Sequence, residues 1–257
     1  MSLKLSVALI TKNEEANLGR TLESVRWADE VVIVDCGSTD RTPEIAREFG
    51  AKFFVEEWKG FGAQKNSALA KCTGDWVVAL DADEEVSEEL AAEIRALLNG
   101  TPACEGYFLP RRNYFLGRWV RHGGYWPDPK LRLFRRGAAA FEERAVHETA
   151  HCAGRTGKLR GCLLHHAYPT LEGYLEHMNR YSTLGAQQAV AKGKTSRSWA
   201  AFVWNVWVTP IATFKYNYLL RLGFLDGREG LLLHLYHSAY VSWKYAKAWE
   251  AGRQRTR

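Results

Sequence analysis

Val31-Val32-Ile33-Val34-Asp35-Cys36-Gly37-Ser38-Thr39-Asp40 is a run of four apolar residues that stops at a carboxylate and enters a turn of small polar side chains. Four apolar residues in a row, without alternation, describe a strand covered on both faces. The Gly37–Asp40 turn supplies hydroxyl and carboxylate caps for a helix through Ile45 and Phe49. The same grammar recurs on either side. Leu5–Ile10 runs apolar into Thr11-Lys12-Asn13-Glu14, and Glu15–Trp27 then shows helical spacing through Leu18, Leu22 and Val25. Phe53–Val55, a helix near Ala63–Lys71, the strand Trp76–Leu80 and a helix over Ser87–Leu98 continue the series. Acidic residues open that last helix, as its dipole prefers. Repeated units of this kind predict an α/β fold with a mostly parallel, Rossmann-like central sheet, whose ligands bind beyond the carboxyl ends of the strands.

From Gly106 to about His166 the pattern changes. Tyr107–Pro110, Leu131–Phe134 and Cys162–His165 read as short strands separated by Gly, Pro and Arg, and extend the sheet in mixed fashion. Beyond Pro169 the chain turns helical, with Leu171–Lys192, an apolar stretch, and Leu231–Trp249. The expected organisation is a catalytic domain over 1–168 and a helical extension over 169–257, the latter membrane-associated or oligomerising.

The 257 residues carry a net charge of +6, with basic residues gathered in Arg111–Arg136 and from Lys192 onward. That balance favours an anionic partner: a nucleoside diphosphate, a phosphorylated glycan or an acidic membrane surface. No nucleic-acid-binding motif is present, and no nucleic acid is expected. Cys36, Cys72, Cys104, Cys152 and Cys162 are odd in number and form no CxxC pair. Leu3–Leu9 enters a strand pattern without a cleavage site, so a cytoplasmic protein with reduced thiols is expected.

Three strands end in polar signatures: Thr11-Lys12-Asn13-Glu14, Asp35 to Asp40, and Asp81-Ala82-Asp83. Parallel topology sets all three along one edge. Asp35, Thr11 and Asn13 supply hydrogen-bonding groups for a uridine ring and ribose. Asp81 and Asp83, at i and i+2, supply oxygen ligands for the divalent cation, Mg²⁺ or Mn²⁺, that a diphosphate requires. Asp40 reads as a helix cap, and Glu84, Glu85, Glu88 and Glu89 as a solvated helix start. Arg132, Arg135 and Arg136 are candidate receivers of acceptor phosphates.

Ala8 to Glu15, Val32 to Asp40, Gly62 to Ser67 (Gly-Ala-Gln-Lys-Asn-Ser) and Ala79 to Glu84 together resemble the family 2 glycosyltransferases of the GT-A type, over roughly residues 4–150. The resemblance implies that Thr11, Glu14 and Asp35 meet the nucleoside, and that Lys65 and Asn66 lie near the donor. It sets Asp81 and Asp83 at the metal-bound diphosphate. Cys36 departs from the family, which often carries a second acidic residue there. The family pattern also puts a general base about sixty residues past Asp83, and Val146-His147-Glu148 fits that place. Glu148 would then take the proton of the acceptor hydroxyl in an inverting transfer, with His147 a further metal or phosphate contact and Asp128 the reserve base.

His147-Glu148-Thr149-Ala150-His151 also matches the HExxH zinc pattern, which requires a helix. Gly137 upstream and Cys152-Ala153-Gly154 downstream argue against one, so a zinc hydrolase is the weaker alternative. A nucleotidyltransferase on a similar fold is the other, distinguished by release of pyrophosphate. A non-catalytic membrane scaffold would bind lipid without regard to Asp83.

Trp199–Phe214 is too short and interrupted to span a bilayer, with Pro210 expected to kink it. Its flanking cations and recurring Trp and Tyr suit a membrane surface, a packed helical layer or a second copy of the chain. Phe214 to Tyr218 and Gly223 to Gly230 resemble bacterial lipopolysaccharide-core β-glucosyltransferases of the same family. That implies a UDP-sugar donor, UDP-glucose first, and a lipopolysaccharide-core or other lipid-linked glycan acceptor at the inner membrane.

Overall fold

The computed structural model describes residues 3–143 and 149–254. The chain divides into two compact units, Met1–Arg112 with Asp128–His165, and Asn113–Pro127 with His166–Arg257. Residues 113–127, which lie inside the expected 1–168 stretch, group with the second unit.

In the first unit β1 (Leu5–Thr11), α1 (Leu18–Ser24), β2 (Glu30–Asp35), α2 (Thr42–Glu48), β3 (Lys52–Val55), α3 (Phe61–Lys71) and β4 (Trp76–Asp81) alternate as expected. There follow β5 (Glu84–Val86), α4 (Glu88–Asn99), β6 (Gly106–Leu109) and, from Arg111 to Phe115, β7. The order of the main sheet is completed by β9 (Lys130–Arg135) and β12 (Thr156–Lys158), giving β12-β6-β9-β4-β1-β2-β3. The four strands β3, β2, β1 and β4 are mutually parallel, and β9 runs antiparallel to both β4 and β6.

The apolar runs are continuous because both faces of the sheet are covered. Leu5, Val7 and Leu9 of β1 face a core shared with Leu18 and Leu22 of α1 and with Leu90 and Ile94 of α4. Ala8 faces the other way, with Val32, Val34, Val77, Phe134 and Ala68 of α3. Period-two alternation thus sends successive apolar residues into two different cores. Helix α1 begins at Leu18 rather than Glu15 because residues 13–17 form a turn in which the Glu14 carbonyl accepts from the N–H groups of both Asn17 and Leu18. Helix α4 is capped as its sequence suggests, Ser87 Oγ accepting from the Leu90 N–H at 3.2 Å.

A two-stranded ribbon, β10 (Ala139–Phe141) with β11 (Ala150–Cys152), is antiparallel, with Phe141 opposite Ala150. Strand β13 (Leu163–Tyr168) pairs antiparallel with β5, placing His165 opposite Glu84.

The second unit contains β8 (Arg118–Trp119), paired with the end of β7, and then the long helices α5 (Leu171–Ala191) and α8 (Gly227–Gln254). Between them α6 (Trp199–Val203) and α7 (Thr209–Phe214) are joined and followed by π-helical stretches at Trp204–Val208 and Lys215–Leu220. Pro210 falls in the first turn of α7, where its missing N–H costs least. The π turn before it, closed by the Thr209 N–H to the Trp204 carbonyl, carries the chain helically through the expected kink. A core of Phe115, Val120, Tyr174, Met178 and Leu233 holds this unit together. His234 is buried against the rings of Tyr125 and Tyr218, and burial pulls its pKa down to about 4, so the ring is neutral.

Candidate active site at the carboxyl edge of the sheet

The register brings the three strand ends together as the sequence predicts. Thr11 pairs with Asp35 across β1 and β2, and Ile10 with Asp81 across β1 and β4. Each signature then takes a distinct role. Asp35, 1% exposed, accepts from Thr11 Oγ1 at 2.7 Å, from Ser38 Oγ at 2.5 Å and from the N–H groups of Gly37 and Ser38 at 2.8 and 2.7 Å. Its oxygens organise the turn that borders the site. Asn13 adopts a left-handed φ of 55°, and its Oδ1 accepts from the Thr39 N–H at 2.8 Å, which stitches the first loop to the second. Asp40 stands one residue before Arg41, the N-cap of α2, and accepts from the N–H groups of Glu15 and Thr42. Glu14 lies partly buried beside this acidic edge. Burial, with Asp83, Asp40 and Asp81 nearby, raises its pKa despite a hydrogen bond from Asn17. Cys36 is buried, and burial and the adjacent Asp35 raise its thiol.

Asp81 sits at the end of β4 between two cations. Lys65 Nζ of α3 lies 2.7 Å from Oδ1, and Arg132 Nη2 of β9 contacts Oδ2. Burial would raise its carboxyl, but Arg132 and Lys65 outweigh that and hold it well below the usual carboxylate range. The chain of charges continues. Arg132 Nη2 also reaches Glu84 Oε1 at 3.2 Å, Arg111 Nη1 reaches the same oxygen at 2.9 Å, and Arg111 Nη2 lies 2.8 Å from Asp128, which Lys130 holds at 2.9 Å.

Several expectations are corrected here. Glu84 is not the start of a solvated helix; it lies in β5 with no exposed surface and accepts from the Asp81 N–H at 3.0 Å. Arg132 is 5% exposed and committed to carboxylates, while Arg136 Nε donates to the Gly74 carbonyl and Arg135 pairs with Glu105. Arg132 is thus no free phosphate receiver, whereas Arg135 and Arg136 are exposed. Asp128, the reserve base, is held between Arg111 and Lys130. The sequence did carry one signal for this network: Arg132 stands between Leu131 and Leu133 in an apolar strand, where a charge persists only if paired.

Asp83 lies two residues beyond Asp81 on the turn into β5, half-buried, with one oxygen 3.4 Å from His165 Nε2. Burial raises its carboxyl, and His165 more than compensates, leaving it below its usual value. Among the described residues no group of three or more His, Cys, Asp or Glu side chains converges as a metal cage. One carboxylate and one imidazole at a rim nevertheless fit Mg²⁺ or Mn²⁺, which fill their shells with water and substrate phosphate oxygens. Asp81, expected beside Asp83 as a ligand, has both oxygens in ion pairs.

Asn66 is engaged with the β10 backbone. Its side chain exchanges two hydrogen bonds with the backbone of Phe141 in β10, while Lys65 Nζ stands 5.2 Å from the centre of the Phe141 ring. His147 and Glu148 lie outside the described residues. The zinc pattern fails at its second histidine: His151 is in strand β11, not a helix, and its Nε2 is 2.6 Å from Glu142.

Residues 6–160 match the family described as Glycosyl transferase family 2. The lipopolysaccharide core biosynthesis glycosyltransferase LpsC of Rhizobium meliloti is 35% identical over 237 residues, 88% of this chain and 82% of that protein. An uncharacterized glycosyltransferase of Rickettsia bellii is 47% identical over 250 residues, covering 90% of this chain and 81% of its own length. Among solved structures, the mannosyltransferase PcManGT from Pyrobaculum calidifontis in complex with GDP-Man and Mn²⁺ has a TM-score of 0.55 at 18% identity, over 96% of this chain and 87% of that one, a likeness of GT-A fold. With a match over more than half of the chain and relatives aligned along most of it, the edge built around Asp35, Asp81 and Asp83 belongs to a member of glycosyl transferase family 2.

Proposed function

We propose that this enzyme transfers a sugar, with inversion at the anomeric carbon, from a nucleoside-diphosphate sugar to a lipopolysaccharide-core or other lipid-linked glycan. A UDP-sugar is the favoured donor, UDP-glucose first. The observation that carries the reading is the alignment of Thr11, Asp35 and Asp81 at three adjacent parallel strand ends, with Asp83 and His165 paired at their rim. The similarity to LpsC supports the acceptor class.

In this reading the loops bearing Thr11, Asn13, Glu14 and Asp35 cradle the nucleoside. Lys65 and Arg132 fix Asp81, and with it the turn that presents Asp83. Asp83, with His165 beside it, would hold Mg²⁺ or Mn²⁺, which when bound offsets the charge on the diphosphate. Glu148 accepts the acceptor hydroxyl proton as that oxygen bonds to the anomeric carbon. The bond from that carbon to the diphosphate oxygen breaks on the opposite side, and its electron pair leaves with the nucleotide. Support for Glu148 comes from its flanks, since β10 and β11 are tied to α3 through Asn66, next to Lys65.

Thermal denaturation with UDP, GDP, ADP or CMP, each with and without Mn²⁺, tests the reading on wild type and Asp83→Ala. One diphosphate should stabilise the wild type only with metal, and the variant little. A response indifferent to Asp83 would overturn the metal assignment. Pyrophosphate release from a nucleoside triphosphate would move the enzyme to the nucleotidyltransferases.

A further inference from the structure

The helical segment 199–220 of the second unit turns its apolar side outward. Trp199, Trp204, Trp207 and Leu220 are 79, 63, 64 and 75% exposed, and Ile211 and Leu219 about half. Its other side is the packed one: Pro210 is buried, the Val206 carbonyl accepts from Ser242 Oγ of α8 at 2.8 Å, and the Phe202 ring meets Trp249 of α8 at 5.1 Å. An ordinary surface helix has the reverse polarity.

Charge identifies what covers this side. No aspartate or glutamate occurs from residue 192 to residue 225, whereas Lys192, Lys194, Arg197, Lys215 and Arg221 do, and all five are exposed. A two-fold contact between copies of the chain through this segment would bring together two sets of cations with no acidic residue in the segment to offset them. An anionic surface with an apolar interior meets both halves of the pattern. Indole rings favour the headgroup level, where one edge is apolar and the other wet. No described helix is long and apolar enough to cross a membrane.

We propose that the 199–225 face docks on a lipid bilayer carrying anionic headgroups, lying in the interface with Trp204, Trp207 and Leu220 inserted and the cations at the phosphate level. The inference stands apart from the sugar-transfer reading, because docking requires neither donor nor Asp83.

The test is co-sedimentation of the full chain with phosphatidylcholine vesicles, with and without phosphatidylglycerol. Wild type should partition onto the anionic vesicles, and its tryptophan emission should shift to the blue and be quenched by brominated lipid. Binding should fall at least about tenfold in Trp204→Ser/Trp207→Ser/Leu220→Ser, and by roughly fivefold per cation at low salt in Lys194→Gln/Lys215→Gln. Circular dichroism should remain that of the wild type, and the emission measurements decide the matter on wild type alone should the triple variant misfold. Wild type left in the supernatant with anionic vesicles, or unquenched tryptophans, would overturn the proposal. So would a dimer in sedimentation velocity that the triple substitution breaks while vesicle binding is absent.

Discussion

Asn66 and Phe141 pair as two residues of neighbouring strands would, although one contributes only a side chain. Asn66 Nδ2 donates to the Phe141 carbonyl at 2.9 Å, and the Phe141 N–H donates to Asn66 Oδ1 at 2.8 Å. Asn66→Ala leaves both backbone groups of a partly buried strand without partners. We expect a loss of about 1–3 kcal/mol, a fall in Tm of a few degrees measurable by calorimetry. If Glu148 acts from the adjoining loop, kcat should fall while the donor KM changes little.

Gly62 allows the same ribbon to approach α3. A Cβ at this position would stand 2.1 Å from the Glu142 carbonyl oxygen, a backbone atom that cannot swing aside. Gly62→Ala should therefore cost about 1–3 kcal/mol in urea denaturation and reduce transfer, although alanine is the better helix former. A stable, fully active Gly62→Ala protein would refute this close approach.

Arg132 is the cation shared by Asp81 and Glu84. Removing it leaves Glu84, with no exposed surface, to Arg111 and the Asp81 N–H among the described residues. Arg132→Met should destabilise by roughly 3–5 kcal/mol, whereas Glu84→Gln with arginine retained should cost less. Chemical denaturation of both variants gives the comparison.

Glu30 makes stability depend on acid. Burial alone would raise its carboxyl, but Lys52 at 2.5 Å, Ser6 Oγ and the Thr73 N–H at 2.8 Å lower it to about 2 from an ordinary 4.5. A depressed pKa in the folded chain means stabilisation complete above the ordinary value and lost as pH falls from there through 2. Half-exposed Lys52 is partly screened by solvent, so the contribution is about 2 kcal/mol. Glu30→Gln should be less stable than wild type at pH 6, and the gap should narrow by pH 3 and close only below pH 2. Parallel denaturation curves at the two pH values would disprove it.

Strand pairing places His165 opposite Glu84, against Asp83. His165→Gln should weaken Mn²⁺-dependent nucleotide binding about tenfold and leave metal-free binding unchanged, as titration calorimetry can establish.

The apolar runs of β1, β2 and β4 are legible because a doubly covered strand is apolar at nearly every position, Ser6 apart, and the register of Thr11, Asp35 and Asp81 follows from parallel pairing. The charges around them are not legible. Glu84 looks like any solvated residue until β4, β5 and β9 are brought together, and Arg132, flagged by its apolar neighbours, does not name its partners, since burial and partner belong to the tertiary structure. The functional labels of Asp35 and Asn66 concealed structural duties for the same reason: each spends its side chain on nearby backbone.

The π-helical stretches at Trp204–Val208 and Lys215–Leu220 have a geometric effect on the outward face. Four residues overshoot an α-helical turn by about 40°, so in a uniform α-helix Trp204 and Leu220 would point about 160° apart. Both are exposed here because the wider turns unwind that drift and keep positions four residues apart aligned. The face is thus written in spacing as much as in composition. Deleting one residue from 204–208 would preserve every downstream tryptophan, tyrosine and leucine yet rotate Leu219 and Leu220 toward α8, scrambling a surface whose chemistry is otherwise intact.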